Sequence, residues 1–125
     1  MAVAYKPESY NSVSAYLIVP DALKSIAFMK AGLGAQELRV IRNPDDAVVH
    51  AEVRIDDTVV MMGQMPGGPP AHIHVYVPDA DAAIARALEA GATLVKPATE
   101  EGDGDRRGGV KDPDGTTWWL STQLG

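Results

Sequence analysis

The sequence predicts an α+β domain built from two tandem copies of one β-α-β-β-β unit, and three observations predict it. The tetrapeptide Val19-Pro20-Asp21-Ala22 recurs 58 residues later as Val77-Pro78-Asp79-Ala80. The same ungapped offset matches Ile26 and Ala27 with Ile84 and Ala85, and Asp56 and Thr58 with Asp114 and Thr116. Within each copy, alternating positions mark strands and a stretch of helical spacing marks one helix. An offset that holds across a helix start and a later turn implies a duplicated supersecondary unit, with a site where the copies meet.

Each element follows from local chemistry. Val13 to Val19 alternates, with Val13, Ala15, Leu17 and Val19 on one face and Ser14, Tyr16 and Ile18 on the other, which predicts a strand with two usable faces. Pro20 ends it and Asp21 is a good N-cap; Leu23, Ile26, Ala27 and Lys30 continue at helical spacing until Gly32 and Gly34. Strands are expected at 37–42, 48–55 and 58–63, separated by an Asn43-Pro44-Asp45-Asp46 turn and a tight Asp56-Asp57 turn. Met65 to Pro70 is too rich in Pro and Gly for regular structure and reads as the connector.

The second copy repeats the order. Residues 71–77 form a strand with Ile73, Val75 and Val77 opposite His72, His74 and Tyr76. Asp79 caps a helix through Leu88 that Gly91 ends, and a short strand follows at 93–96. The acidic Gly-rich stretch 100–105 reads as a solvated loop. A strand around 107–111, the Asp112-Pro113-Asp114-Gly115 turn and a strand at 116–122 complete the unit. The expected organisation is a single domain over 1–125, with module one at about 13–64, a linker at 65–70 and module two at about 71–123.

Composition narrows the function classes. A chain of 125 residues can bury roughly two thirds of its unfolded surface, whereas either half alone is too small to be secure. With 46% hydrophobic and 22% charged residues and no long apolar run, it reads as soluble and globular. A net charge of −6 disfavours nucleic acid and anionic membrane as partners, because both need clustered Lys and Arg. The absence of cysteine removes disulfides, thiolate metal sites and thiol nucleophiles. Residues 1–11 lack the basic and apolar regions of a secretory signal, so a cytoplasmic location is expected. No Ser lies in a nucleophile pattern, and no glycine cluster fits a phosphate-binding loop.

Two β-α-β-β-β copies, the strand-terminal Val-Pro-Asp, a helix closing in Glu89-Ala90-Gly91-Ala92, and Asp112-Pro113-Asp114-Gly115 before an aromatic strand together resemble the vicinal oxygen chelate superfamily. That superfamily includes glyoxalase I, extradiol dioxygenases, fosfomycin-resistance enzymes and bleomycin-resistance proteins. His50-Ala51-Glu52 and Trp118-Trp119-Leu120 look most like its PhnB-like branch. The resemblance covers nearly the whole chain, from Val13 to Gln123, and implies a curved mixed sheet around a cavity with helices on the convex face. It also implies a homodimer, often with modules from different chains completing each cavity. By that analogy Ser14, Tyr16, Ile18, His72, His74 and Tyr76 look into the cavity.

Metal-dependent members place ligands on the first and fourth strands of each copy, and the resemblance carries those positions onto Ser14, Met61, His72 and Trp119. Only His72 keeps a ligating side chain; a hydroxyl, a thioether and an indole do not complete a divalent-cation site. No cofactor is therefore expected. A displaced divalent site is the alternative, because His50, Glu52 and Arg54 share one face of a strand and His72 and His74 another. Two His and a carboxylate suit iron, manganese or zinc, although the third strand of one copy is expected to lie well away from the first strand of the next.

His50 and Glu52, at i and i+2, can act as a general base with an orienting carboxylate, or form a satisfied polar pair. His72 and His74 can bind a substrate oxygen. Trp119, with Tyr16, Tyr76 and Met61 in the same cavity, either makes an apolar surface for a planar or amphipathic ligand or plugs the hollow. Trp118, on the other face, is expected in the core. The resulting expectation is a metal-independent small-molecule binding protein; the alternative is a lyase, isomerase or dioxygenase using His50, Glu52, His72 or His74.

Overall fold

The computed structural model describes residues 4–124. Its elements run β1 (Tyr16–Val19), α1 (Ala22–Leu33), β2 (Gln36–Arg42), β3 (Val48–Ile55), β4 (Thr58–Gln64), β5 (His72–Tyr76), α2 (Ala80–Glu89), β6 (Thr93–Glu100), β7 (Asp105–Lys111) and β8 (Thr117–Gln123). They form an α+β fold of two four-stranded mixed sheets, ordered β1-β4-β3-β2 and β5-β8-β7-β6. In each, the outer first strand pairs parallel to the fourth and the remaining pairs are antiparallel.

The repeat is visible in geometry as well as in letters. Asp21 and Asp79 both sit at φ −146°, with ψ 97° and 103°, and each carboxylate accepts the backbone N–H three residues on. That bond supplies one of the donors a helix start leaves open. Helix α1 ends at Gly34, whose φ of +69° is the left-handed conformation that glycine adopts without a Cβ penalty. Gly32 does not stop the helix as expected; it lies within α1, where a Cβ would sit 3.2 Å from the Cβ of Ala90. Its lack of a side chain lets the end of α2 approach, and Arg86 Nε donates to its carbonyl at 3.2 Å.

The apolar face of each sheet is covered by its own helix. Leu17, Val19, Ala51, Val53, Val60 and Met62 join Ile26 and Met29 of α1, while Val110, Trp118 and Leu120 join Ile84 and Ala87 of α2, in a single buried cluster. The helices pack against each other, so the modules meet through α1 and α2. Ser25 of α1 also donates to Asp114 in the β7–β8 turn. Trp118 is fully buried as expected, and its indole N–H finds Asp112 Oδ2 at 2.9 Å. No helix among the described residues is long and apolar enough to cross a membrane.

Three strand boundaries differ from expectation by more than one residue. β1 begins at Tyr16 rather than Val13 because Val59 N–H is taken by the Asn11 side chain, so the ladder to β4 starts only at Ala15 and Val13 is left exposed. β6 runs on past Pro97 to Glu100: it is an edge strand, and its register shifts between Lys96 and Thr99 absorb the proline. β7 begins at Asp105 rather than Arg107, so the last residue of the expected acidic loop belongs to the sheet.

Asp112 offers a test of how strongly module two depends on its final turn. Its Oδ1 accepts from Asp114 N and Thr116 N at 2.9 and 3.0 Å, and the side chain holds the Trp118 indole. Removing an acceptor from buried donors costs about 1–3 kcal/mol per group, whereas losing an exposed N-cap costs about 1 kcal/mol. Asp112→Ala is therefore expected to lower unfolding free energy in urea by roughly 2–4 kcal/mol, clearly more than Asp21→Ala.

Candidate functional site

The strand registers decide which side chains share the polar face of each sheet. In module one, Tyr16 lies beside Met61, Met61 beside Glu52, and Glu52 beside Arg39, a row across all four strands. In module two, His74 lies beside Trp119, Trp119 beside Gly109, and Gly109 beside Lys96. The two rows are equivalent, since Tyr16 and Met61 map onto His74 and Trp119 at the repeat offset. Glu52 and Gly109 therefore occupy corresponding places, and that exchange makes the two faces chemically different.

Gly109 gives Trp119 its orientation. A Cβ at position 109 would lie 2.6 Å from Trp119 Cζ3, so the indole lies across β7 where any other residue would hold a side chain. The ring lines a hollow of about 370 Å³ together with His74, Lys96, Thr99, Glu101, Asp103, Asp105 and Arg107. Trp119 Nε1 donates to His72 Nδ1 at 3.2 Å, and the two rings are nearly parallel at 12° with centroids 6.3 Å apart. His74 and Tyr76 meet edge to face, with centroids 4.8 Å apart.

Asp105 organises the polar wall. Its Oδ2 accepts from Tyr76 Oη at 2.8 Å, Arg107 Nη2 at 3.1 Å and Ser121 Oγ at 3.2 Å. The Tyr76 hydrogen bond above all holds the Asp105 carboxyl below the usual range, with Arg107 and Ser121 adding to it against the opposing effect of burial. Tyr76 is raised in return, chiefly by the same bond. Arg107 Nη1 also donates to Asp103 Oδ2 at 3.0 Å, leaving its buried Nε without a partner. Lys96 pairs with Glu101 at the rim.

On the module-one face, Glu52 is buried at 4% exposure and carries two partners. Tyr10 Oη donates to Oε1 at 2.5 Å, and His50 Nε2 lies 2.6 Å from Oε2. Burial is the largest influence on Glu52 and pushes its pKa up, but the bonds from Tyr10 and His50 and the charges of His50 and Arg39 outweigh it and hold it low. Tyr10 is raised, first by its bond to Glu52. The segment before β1 thus crosses this face, where Arg54 Nη2 also donates to Ser9 O at 3.1 Å. His50 Nδ1 faces Tyr16 Oη at 3.3 Å.

The sequence-predicted residues therefore separate into two groups. His74 and Trp119 line the hollow, while His72 and Tyr76 flank it through Trp119 and Asp105. Tyr16, Met61, His50 and Glu52 belong to the module-one face, and within the single chain they do not line the Trp119 hollow that Tyr16 and Met61 are expected to share. The reason is that Trp119 lies over β7, so the hollow opens toward β6 and the 100–105 segment. Sequence reading missed Tyr10, Lys96, Asp105 and Arg107. Extending the alternation of β7 two residues back would have put Asp105 and Arg107 on the face of Gly109.

The residues at the superfamily's ligand positions do not fit a divalent cation. A neutral imidazole has one acceptor nitrogen, and at His72 it is the Nδ1 that receives the Trp119 indole, which leaves Nε2 protonated. Among the described residues no group of three or more His, Asp or Glu side chains is placed to hold a metal ion.

Two buried carboxylates held low by hydrogen bonds make the fold sensitive to acid. A carboxyl whose folded pKa is depressed contributes stability that is complete above its unfolded pKa and is lost as pH falls through the folded one. The urea midpoint is expected to fall between about pH 5 and about pH 3, and Glu52→Gln is expected to flatten that fall while lowering the midpoint at neutral pH.

Comparison with known proteins places this geometry. The model of the Glyoxalase/Bleomycin resistance protein/Dioxygenase superfamily matches residues 10–120. An uncharacterised protein of Mycobacterium bovis is 37% identical over 134 residues, covering 96% of this chain and 86% of that one. Among solved structures, TioX from Micromonospora sp. ML1 superposes with a TM-score of 0.77 at 22% identity, over 91% of this chain and 99% of that one. The fosfomycin resistance protein FosX from Listeria monocytogenes gives 0.73 at 18% identity, over 91% and 93%. Those two structures share the fold, and the family match spans most of the chain: it belongs to the Glyoxalase/Bleomycin resistance protein/Dioxygenase superfamily.

Proposed function

We propose that this chain is a metal-independent small-molecule binding protein that holds a planar aromatic or amphipathic ligand in the module-two hollow. The observation that carries this reading is the Trp119 indole laid flat on Gly109 and lining a space of about 370 Å³. That volume lies at the lower end of the range for small-molecule pockets. An indole fixed by a hydrogen bond at its edge offers a stacking surface at little entropic cost. Lys96, Arg107 and His74 around it supply donors for a ligand's oxygen atoms, and Tyr76 and His72 keep the walls in place.

A homodimer is part of the proposal, because the polar faces of both sheets carry exposed aromatic residues: Tyr16 is 51% and Tyr76 63% exposed in the single chain. A second copy laid over these faces would bury them.

The test uses the two tryptophans. With 8-anilinonaphthalene-1-sulfonate as the probe, wild type is expected to bind and to transfer excitation energy from tryptophan. Trp119→Ala should lose at least about tenfold in affinity, or about 1.4 kcal/mol, while retaining its circular dichroism and cooperative melt. A variant that unfolds instead assigns Trp119 to packing. Elemental analysis of protein purified without chelator is expected to find no stoichiometric Mn, Fe, Ni or Zn.

A further inference from the structure

We propose that a hollow at the junction of the modules, on the side the helices cover, is a second ligand site that takes a small zwitterion with an apolar body, of the class of an apolar dipeptide. The hollow measures about 570 Å³, within the range of small-molecule pockets. It shares no lining residue with the Trp119 hollow, so the proposal does not depend on what is held there. The end of α1, the β3–β4 turn, the end of β5 and the first half of α2 enclose it, with apolar walls from Leu33, Ile55, Val75, Val77 and Ala83. Leu33 and Ala83 stand on the helices, away from the polar sheet faces that the proposed dimer covers.

The repeat explains why space is left here. At the offset of 58, Ala83 and Arg86 of α2 correspond to Ser25 and Phe28 of α1, and Asp56 corresponds to Asp114. Around α1, Phe28 is 3% exposed and Ser25 donates across to Asp114, so the helix and the turn of the other module are tied together. Around α2, alanine offers Asp56 no hydroxyl, and an exposed arginine stands where the first copy has a buried ring. The contact that closes one side of the junction is therefore missing from the other, and Val75 and Val77 are left only partly buried along it.

Two opposite charges line this space without meeting. Arg86 gives Nε to the Gly32 carbonyl at 3.2 Å, which fixes the guanidinium at the end of α1. Among the described residues its two Nη groups and the Asp56 carboxylate have no hydrogen-bond or ion-pair partner, although both side chains line the hollow. Capping α1 accounts for Nε and leaves the Nη pair to bind a carboxylate end-on. Asp56 supplies the counter-charge for an ammonium group, and the C-terminal end of α1 at Gly34, which also lines the hollow, adds its partial negative charge. A simple anion would be opposed by Asp56 and a simple cation by Arg86, whereas a zwitterion satisfies both. The volume suits two apolar residues better than one, and the aliphatic walls take them out of water.

Isothermal titration with L-leucyl-L-leucine tests the site. Wild type is expected to bind it saturably. N-acetyl-leucyl-leucine, leucyl-leucine amide and glycyl-glycine lack the ammonium, the carboxylate and the apolar body in turn, and each should bind at least about tenfold more weakly. Arg86→Gln and Asp56→Asn should each lose at least about tenfold in affinity for the dipeptide. Asp56 sits at φ +54°, a left-handed conformation that asparagine also adopts, so the second variant is expected to fold. In a ¹⁵N-correlated spectrum of wild type the backbone amides of Gly34 and Ala83 should move with added dipeptide while the Trp119 indole signal stays in place. Absence of saturable binding, or equal binding of the capped dipeptides, overturns the proposal even if a variant fails to fold. So does movement of the Trp119 signal in place of Gly34 and Ala83, which assigns the dipeptide to the other hollow.

Discussion

The parallel pairing of the first and fourth strands in each module is the constraint on which the rest depends. It is set at one register, Tyr16 beside Met61 and His74 beside Trp119, and a slip of one residue would exchange the helix-covered and polar faces. The burial of Leu17, Val19, Val60 and Met62 beneath α1, and of Trp118 and Leu120 beneath α2, holds the register in place. Once it is fixed, alternate side chains of the inner strands are committed to packing, and others are left for chemistry. The duplication supplies two such faces from one folding pattern.

The faces have diverged through a few exchanges. Opposite Met61 stands Glu52, buried and held by Tyr10 and His50; opposite Trp119 stands Gly109, which carries nothing and lets the indole lie down. One module keeps an ionised carboxylate beneath a histidine, and the other keeps an aromatic surface walled by paired charges. The superfamily's metal chemistry needs donors converging from both copies. Here Met61 contributes a thioether, and the acceptor nitrogen of His72 is occupied by its neighbouring indole. On the proposed reading the same fold is turned toward hydrogen bonding and stacking, which fits the wide range of functions a single architecture can host.

Much of the fold was legible because it was written twice. Val-Pro-Asp marked a strand end and an N-cap in both copies, and the alternation of 48–55 and 71–77 assigned faces correctly. The resemblance placed Trp119 on the cavity face, and parity then placed Trp118 in the core, where it is fully buried. The boundaries that differed depended on partners distant in sequence: Asn11 taking the Val59 N–H, and edge position accommodating Pro97. The site was less legible for the same reason. Gly109 has no side chain to signal that it makes room for Trp119, and Tyr10 is 42 residues from the carboxylate it holds. Asp105 resembled the end of a solvated acidic loop until β7 set it against Tyr76 and Arg107.

The most direct test of the central claim is a nitrogen-correlated spectrum of ¹⁵N-labelled protein titrated with 8-anilinonaphthalene-1-sulfonate, reading the two indole N–H signals. If module two binds flat ligands on Trp119, the Trp119 signal moves progressively with added ligand while the Trp118 signal, buried and bonded to Asp112, stays in place. Movement of Trp118 alone, or of neither indole while the ligand demonstrably binds, would contradict the account.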